Sequence, residues 1–296
     1  MPNGLPNAQV NWWAAPLSWT ELFALSNIAF LAVDISLAHA VNAFAHPAEY
    51  IPLAFSILAP GVLLLAMWLG GLRPEVAGTF ERKPRLARIL GILVGWGSIL
   101  VGIAGVLFHL ESAFFEEQTI KNLVYTAPFA APLAYTGLGF LLLLNRMVDS
   151  RTLEWARWVV LLALGGFVGN FILTLADHAQ NGFFEPTEWI GVVSSAWAIS
   201  SLLAVMLVYD NRPLLKLTLA IMGIQVFVGV LGFVLHVMAD LRSPADSLWD
   251  QIVYGAPPFA PLLFADLAML ALLSLWAIAR TQSLDSPLIA TRQEGV

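Results

Sequence analysis

Hydrophobic positions along this chain run in long unbroken blocks, and the polar residues collect between them. A bilayer core takes a helix of about 20 apolar residues. Eight blocks reach that length, at 20–44, 50–70, 87–111, 124–145, 156–178, 188–209, 214–240 and 256–279. They predict an all-α, polytopic membrane protein with eight transmembrane helices. The blocks divide into two four-helix units, 20–145 and 156–279. An interfacial segment, 1–19, carries Trp12, Trp13 and Trp19, and a tail, 280–296, follows the last block.

Composition supports lipid as the solvent. Of 296 residues, 59% are apolar and 11% charged, and the mean hydropathy is +0.78. Soluble domains carry about 25% charged residues, so this chain lacks the means to cover a water-facing surface. It has no cysteine, which rules out disulfides, thiolate metal sites, Cys-held clusters and haem attached through Cys. Met1 to Thr20 contains no Lys or Arg and no small-residue cleavage site, so it does not read as a signal peptide. Walker A, G-x-G-x-x-G and H-E-x-x-H patterns, nucleophile elbows and basic patches are missing. Nucleotide hydrolysis, dinucleotide binding and nucleic-acid binding are therefore not expected.

Charge assigns an orientation. Of the 14 basic residues, all but Lys121 and Arg242 fall in the connections after even-numbered spans or in the tail. These are Arg73, Arg82, Lys83, Arg85 and Arg88, then Arg146, Arg151 and Arg157, then Arg212 and Lys216, and finally Arg280 and Arg292. The excess of cations on cytoplasmic loops places that side, and both termini, inside the inner (plasma) membrane. Glu49, Glu111, Glu116, Glu117, Asp177, Glu185, Glu188, Asp240, Asp246 and Asp250 then gather at the outer side. There they form either a solvated rim or a face for a cation or basic partner.

The chain repeats itself. His39-Ala-Val-Asn42-Ala-Phe44-Ala-His46-Pro47-Ala-Glu49-Tyr50 lies over His178-Ala-Gln-Asn181-Gly-Phe183-Phe-Glu185-Pro186-Thr-Glu188-Trp189. Likewise Tyr125-Thr-Ala-Pro128-Phe-Ala-Ala-Pro132-Leu133 lies over Tyr254-Gly-Ala-Pro257-Pro-Phe-Ala-Pro261-Leu262. Each of the four hairpins brings a histidine to its first helix, so the expected architecture is four repeated helical hairpins, a tandem duplication of a four-helix unit. Units with an even number of spans insert the same way, giving parallel repeats about an axis along the membrane normal.

Four of the five histidines, His39, His109, His178 and His236, hold the repeat position near the outer ends of odd-numbered spans. Imidazole is the commonest protein metal ligand. With Glu111, Asp177 and Asp240 nearby, these four are candidate ligands of a non-haem iron, manganese or zinc ion, which mixed N and O donors suit. Gly105 and Gly232 share a helical face with His109 and His236. That face either packs closely on a neighbouring helix or makes room for a haem b whose axial ligands are His109 and His236. Asp34 and Asp266 lie at membrane depth, where a carboxylate costs a few kcal/mol, roughly 2.5–3.5 at the centre. They are proton- or ion-path candidates. The prolines either begin helices, or Tyr125 and Tyr254 head short extended segments lining an outward-facing cavity.

Three functions fit this pattern. The first is a redox or electron-transfer protein with a histidine/carboxylate metal or haem site near the outer face. The second is a cation or small-solute transporter or channel. The third is a non-catalytic membrane subunit or assembly factor that docks a basic partner.

Overall fold

A computed structural model describes residues 14–71 and 85–293. Most of the expected interfacial segment, including Trp12 and Trp13, and the loop cations Arg73, Arg82 and Lys83 lie outside the described residues. All secondary structure among the described residues is helical. The elements are α1 (Pro16–Ala40), a 3-10 turn (Pro47–Glu49), α2 (Tyr50–Ala66) ending in a π turn (Met67–Gly71), α3 (Arg85–Glu111), α4 (Ile120–Tyr125) and α5 (Leu133–Met147). They continue with α6 (Leu153–Gln180), α7 (Glu188–Leu207), α8 (Arg212–Asp240), α9 (Leu248–Val253) and α10 (Leu262–Gln293).

Local chemistry sets the helix starts. Side-chain oxygens of Thr152 and Asn211 accept from the amides of Trp155 and Leu214, at 3.3 and 3.0 Å, satisfying donors that a helix start leaves orphaned. Pro16 opens α1, and Pro213 stands in the first turn of α8, positions where the missing amide would have had no partner anyway.

Among the described residues seven helices are long and apolar enough to cross a bilayer: α1, α2 with its end turns, α3, α6, α7, α8 and the first part of α10. The chain is a multi-pass membrane protein. The expected fourth span, 124–145, differs. Its helix, α5, has only 15 residues, about 22 Å at 1.5 Å per residue, against a hydrocarbon core of about 30 Å. Proline is the cause. α4 stops at Tyr125, residues 126–132 run as turns, and Pro132 stands as the residue before α5, not in its first turn. Residues 254–261 make the same detour before α10. Tyr125 and Tyr254 are exposed.

Within the first half α1 packs on α2, α2 on α3, α3 on α5 and α5 on α1. In the second half α6 packs on α7, α7 on α8, α8 on α10 and α10 on α6. The halves meet through α5 on α6 and α1 on α10, and each short helix reaches across, α4 onto α6 and α9 onto α1. The four central helices bury Ile28, Leu142, Trp155, Phe167 and Ala268 completely. Outward, Leu58, Trp68, Leu100 and Phe227 are 65% to 79% exposed. Water would penalise so much apolar surface, whereas acyl chains do not.

Arg146, which the sequence groups with the loop cations, is not in a loop. It lies near the end of α5, buried, with Nη1 and Nη2 donating to Glu21 Oε1 and Oε2 at 2.8 and 2.9 Å. Asn145 Nδ2 also donates to Glu21, at 2.8 Å, and Trp155 Nε1 donates to Asn145 Oδ1 at 3.1 Å. One polar knot thus ties α1, α5 and α6. In the following loop the Arg151 guanidinium holds the half-buried Asp149 carboxyl below its ordinary pKa.

α3 and α5 approach closely enough to need glycine. A Cβ on Gly95 would stand 3.2 Å from the Gly139 carbonyl oxygen, and one on Gly139 would stand 2.9 Å from the Ile99 amide nitrogen. Gly139→Ala should therefore lower the stability by about 1–3 kcal/mol in thermal melts of detergent-solubilised protein. Gly137→Ala, with open space at its Cβ, should melt like the parent; equal melting of both variants would contradict this packing.

Candidate functional site

The ends of α1 and α3 bring His39 and His109 together, with ring centres 6.3 Å apart and planes inclined by 67°. The ends of α6 and α8 do the same for His178 and His236, at 6.3 Å and 88°. The four imidazoles thus form two pairs, one in each half.

One ring of each pair is held by a hydrogen bond at Nδ1, and the other has its Nδ1 beside a carboxylate. His109 Nδ1 lies 2.9 Å from the Pro128 carbonyl oxygen, and His236 Nδ1 lies 2.8 Å from that of Pro257. A carbonyl only accepts, so Nδ1 carries the hydrogen and the lone pair of each neutral ring is on Nε2. His39 Nδ1 stands 3.4 Å from Glu49 Oε2, and His178 Nδ1 stands 3.4 Å from Glu188 Oε2. These are ion-pair distances, not hydrogen bonds. The two carboxylates are fixed in turn, Glu49 Oε1 accepting from Asn42 Nδ2 at 2.8 Å and Glu188 Oε1 from Asn181 Nδ2 at 3.4 Å.

Local backbone explains the arrangement. After α1 the chain turns through left-handed Ala43 and Phe44, and after α6 through left-handed Gly182 and Phe183. A side chain in that region costs on the order of 1–2 kcal/mol. The Phe44 amide donates to His39 O and Asn42 Oδ1, and the Phe183 amide donates to His178 O and Asn181 Oδ1. The strained turn returns the phenyl ring to the histidine, 5.7 Å from His39 and 6.0 Å from His178. Phe44 also stacks on Tyr50, and Phe183 on Trp189. On the partner helices a second clasp fixes the carbonyl that holds the ring. The Ala127 amide donates to Ser112 Oγ at 2.8 Å, and the Ala256 amide donates to Asp240 Oδ1 at 2.7 Å.

The remaining candidates fall elsewhere. Glu111 is exposed just past His109, and Asp177 lines a small pocket with Phe129 and Gln180. Gly105 and Gly232 face the rings of Pro132 and Pro261, where an added Cβ would stand 2.7 and 2.6 Å from the proline Cβ. Asp266 Oδ1 accepts from Asn27 Nδ2 at 2.9 Å, linking α10 to α1, and Asp34 is half-buried on α1. His46 is a cap, its Nδ1 accepting from the Ala48 amide. Among the described residues no three His, Asp or Glu side chains converge at coordinating distance.

No family model, curated protein or solved structure matches this chain.

The functional reading therefore rests on the site itself. Glu49 and Glu188, with Asn42, Asn181, Phe44 and Phe183, belong to it although the sequence had marked none of them as ligands. Their signal was present: a His, an Asn three residues later, a Phe five later and a Glu ten later, in both copies.

Proposed function

We propose that this chain is an inner-membrane protein with two repeat-related metal sites near its outer face, each built on one histidine pair, and that the bound ions serve electron transfer. The observation that carries this reading is the doubled pair of imidazoles: one Nδ1 of each pair is hydrogen-bonded to a carbonyl, the other stands 3.4 Å from a carboxylate, and no Nε2 makes a hydrogen bond among the described residues. Metal-ligating histidines almost always donate the other ring nitrogen to a carboxylate or carbonyl, which fixes ring and tautomer. Two imidazoles on one tetrahedral ion at bonds of about 2.0–2.1 Å have ring centres about 5 Å apart, so from 6.3 Å each pair closes by about 1 Å on binding. Iron, zinc and manganese suit the mixed imidazole and carboxylate donors.

An ion fits better than a haem shared by His109 and His236, because proline rings already fill the glycine faces that a macrocycle would use. The proposal counts α5 as an eighth span, its missing length supplied by the turns at 126–132. It takes α1 to α5 and α6 to α10 as two four-helix units of parallel repeats, with both termini cytoplasmic. The matching helix contacts of the halves and the matching turns at Phe44 and Phe183 support it. Exposed Glu111, Glu116, Glu117, Glu185 and Asp246 near the histidine ends suit a basic electron carrier or partner subunit.

Metal analysis of purified full-length protein tests the site: two ions of iron or manganese per chain are expected, and two of zinc, which has no redox chemistry, would keep the sites but exclude electron transfer. Protein that retains no stoichiometric metal and binds none when zinc is added would overturn it. A cation-transport reading has one observation in its favour, the Asn27–Asp266 bond joining the halves at membrane depth. Proteoliposome flux abolished by Asp266→Asn would support it, and flux unaffected by that change would exclude it.

A further inference from the structure

The two halves differ in how their peripheral helix pairs close. Between α7 and α8 lies a cleft of about 320 Å³, walled by Trp189, Val193, Ser194 and Trp197 from one helix and by Ile224 and Val228 from the other. That volume falls within the range of small-ligand pockets. Ser194 Oγ donates to Gly191 O at 3.2 Å within its own helix, so the walls offer hydrocarbon and indole. In the first half Phe55 takes the repeat position of Ser194, and Gly97 takes that of Ile224. There the Phe55 ring covers Gly97, where an added Cβ would stand 2.9 Å from the ring's Cε2.

A second difference lies on the same face of α8. Ile224, Val228, Leu235 and Arg242 follow one another at four- and seven-residue spacing, which keeps them on one face of the helix and of the turn that prolongs it. Arg242 is exposed and in no ion pair among the described residues. Phe115 stands at its repeat position in the first half. From Val228 to Arg242 the axis rises about 21 Å, at 1.5 Å per residue. One leaflet with its headgroups measures about 20–22 Å.

We infer that the cleft between α7 and α8 binds one phospholipid, with an acyl chain lying between Trp189 and Trp197 and the phosphate at Arg242. Both helices are long and apolar enough to cross a bilayer, so the cleft opens into hydrocarbon. The cation selects a phosphate-bearing lipid over a neutral one, because Arg pairs strongly with phosphate oxygens. The first half, with Phe55 and Phe115 in these two places, lacks the means to hold a lipid in the same way. The inference is independent of the metal-site reading.

Full-length protein purified in a mild detergent is examined by native mass spectrometry for retained phospholipid. After delipidation it is tested for rebinding of phosphatidylglycerol and of a diacylglycerol with the same chains. One phospholipid per chain is expected in the parent, with phosphatidylglycerol rebinding about fivefold or more tightly than the diacylglycerol. Ser194→Phe, which gives the second half the ring that fills the first, should abolish both retention and rebinding. Arg242→Gln should remove the preference for phosphate, and as a surface change it carries the test if Ser194→Phe fails to fold. A parent that retains no phospholipid, or an isoprenoid quinone in its place, would overturn the assignment. So would a lipid-free dimer that Ser194→Phe dissociates, rebinding unmoved by Ser194→Phe, or a phosphate preference that survives Arg242→Gln.

Discussion

Arg146→Ala is expected to lower the stability by about 3–5 kcal/mol, since it leaves the Glu21 carboxylate buried without its cation. That is a large fraction of the 5–15 kcal/mol typical of a folded domain. Glu21 is 2% exposed and receives both guanidinium nitrogens and the Asn145 amide, so water cannot replace the arginine without opening the contact of α1, α5 and α6. The double variant Glu21→Leu, Arg146→Met removes both charges together and should recover most of the loss, as buried ion pairs often yield to apolar residues of similar volume. Thermal melts of the three proteins in one detergent decide the matter. A single variant that melts with the parent would show that the pair carries no structural load, and a double variant as weak as the single would place the loss in packing instead.

This knot shows where sequence reading stops. Arg146 lies where an apolar block ends, and charge counting puts such residues in solvated loops. Nothing in the local pattern tells that α1 presents Glu21 to it, because the pairing joins residues 125 positions apart. Hydropathy, by contrast, is local and carries far. Six of the expected spans form helices within about four residues of their anticipated limits, since a block of apolar residues in lipid has to satisfy its own backbone. The fourth fell short and the last starts six residues late for one visible reason: the prolines at 128 and 132 delay α5 until Leu133, and those at 257, 258 and 261 delay α10 until Leu262.

The site was legible to a similar depth. The repeat located all four histidines, but the pairing of His39 with His109 and of His178 with His236 depends on which helices pack side by side. The acids nearest in sequence, Glu111 and Asp177, point to other surroundings, whereas Glu49 and Glu188 reach the rings only because a left-handed Phe reverses the chain beforehand. Three or four residues of turn geometry decide which carboxylate is a neighbour. A glycine stripe is equally ambiguous on paper, open or closed according to whether another chain segment lies on it, and here Pro132 and Pro261 do.

His236→Ala provides the sharpest separation of the metal schemes. With the histidines in two independent pairs, the variant should lose one bound ion and keep the other at parental affinity, and His109→Ala should do the complementary thing. The affected ion loses one of only two imidazoles, so its affinity should fall by on the order of 100-fold or more, beyond the 10- to 100-fold seen when merely a supporting partner is removed. If instead all four rings held one centre, either substitution would degrade the same signal. If a haem joined His109 to His236, the protein as isolated would show a Soret band and either change would abolish or shift it. Equilibrium dialysis with Zn(II), together with an optical spectrum of each variant, separates the three. Loss of both ions from the His236→Ala protein would refute independent pairs. Independence is expected because each ring takes its Nδ1 partner from its own half, Pro128 and Glu49 in one, Pro257 and Glu188 in the other.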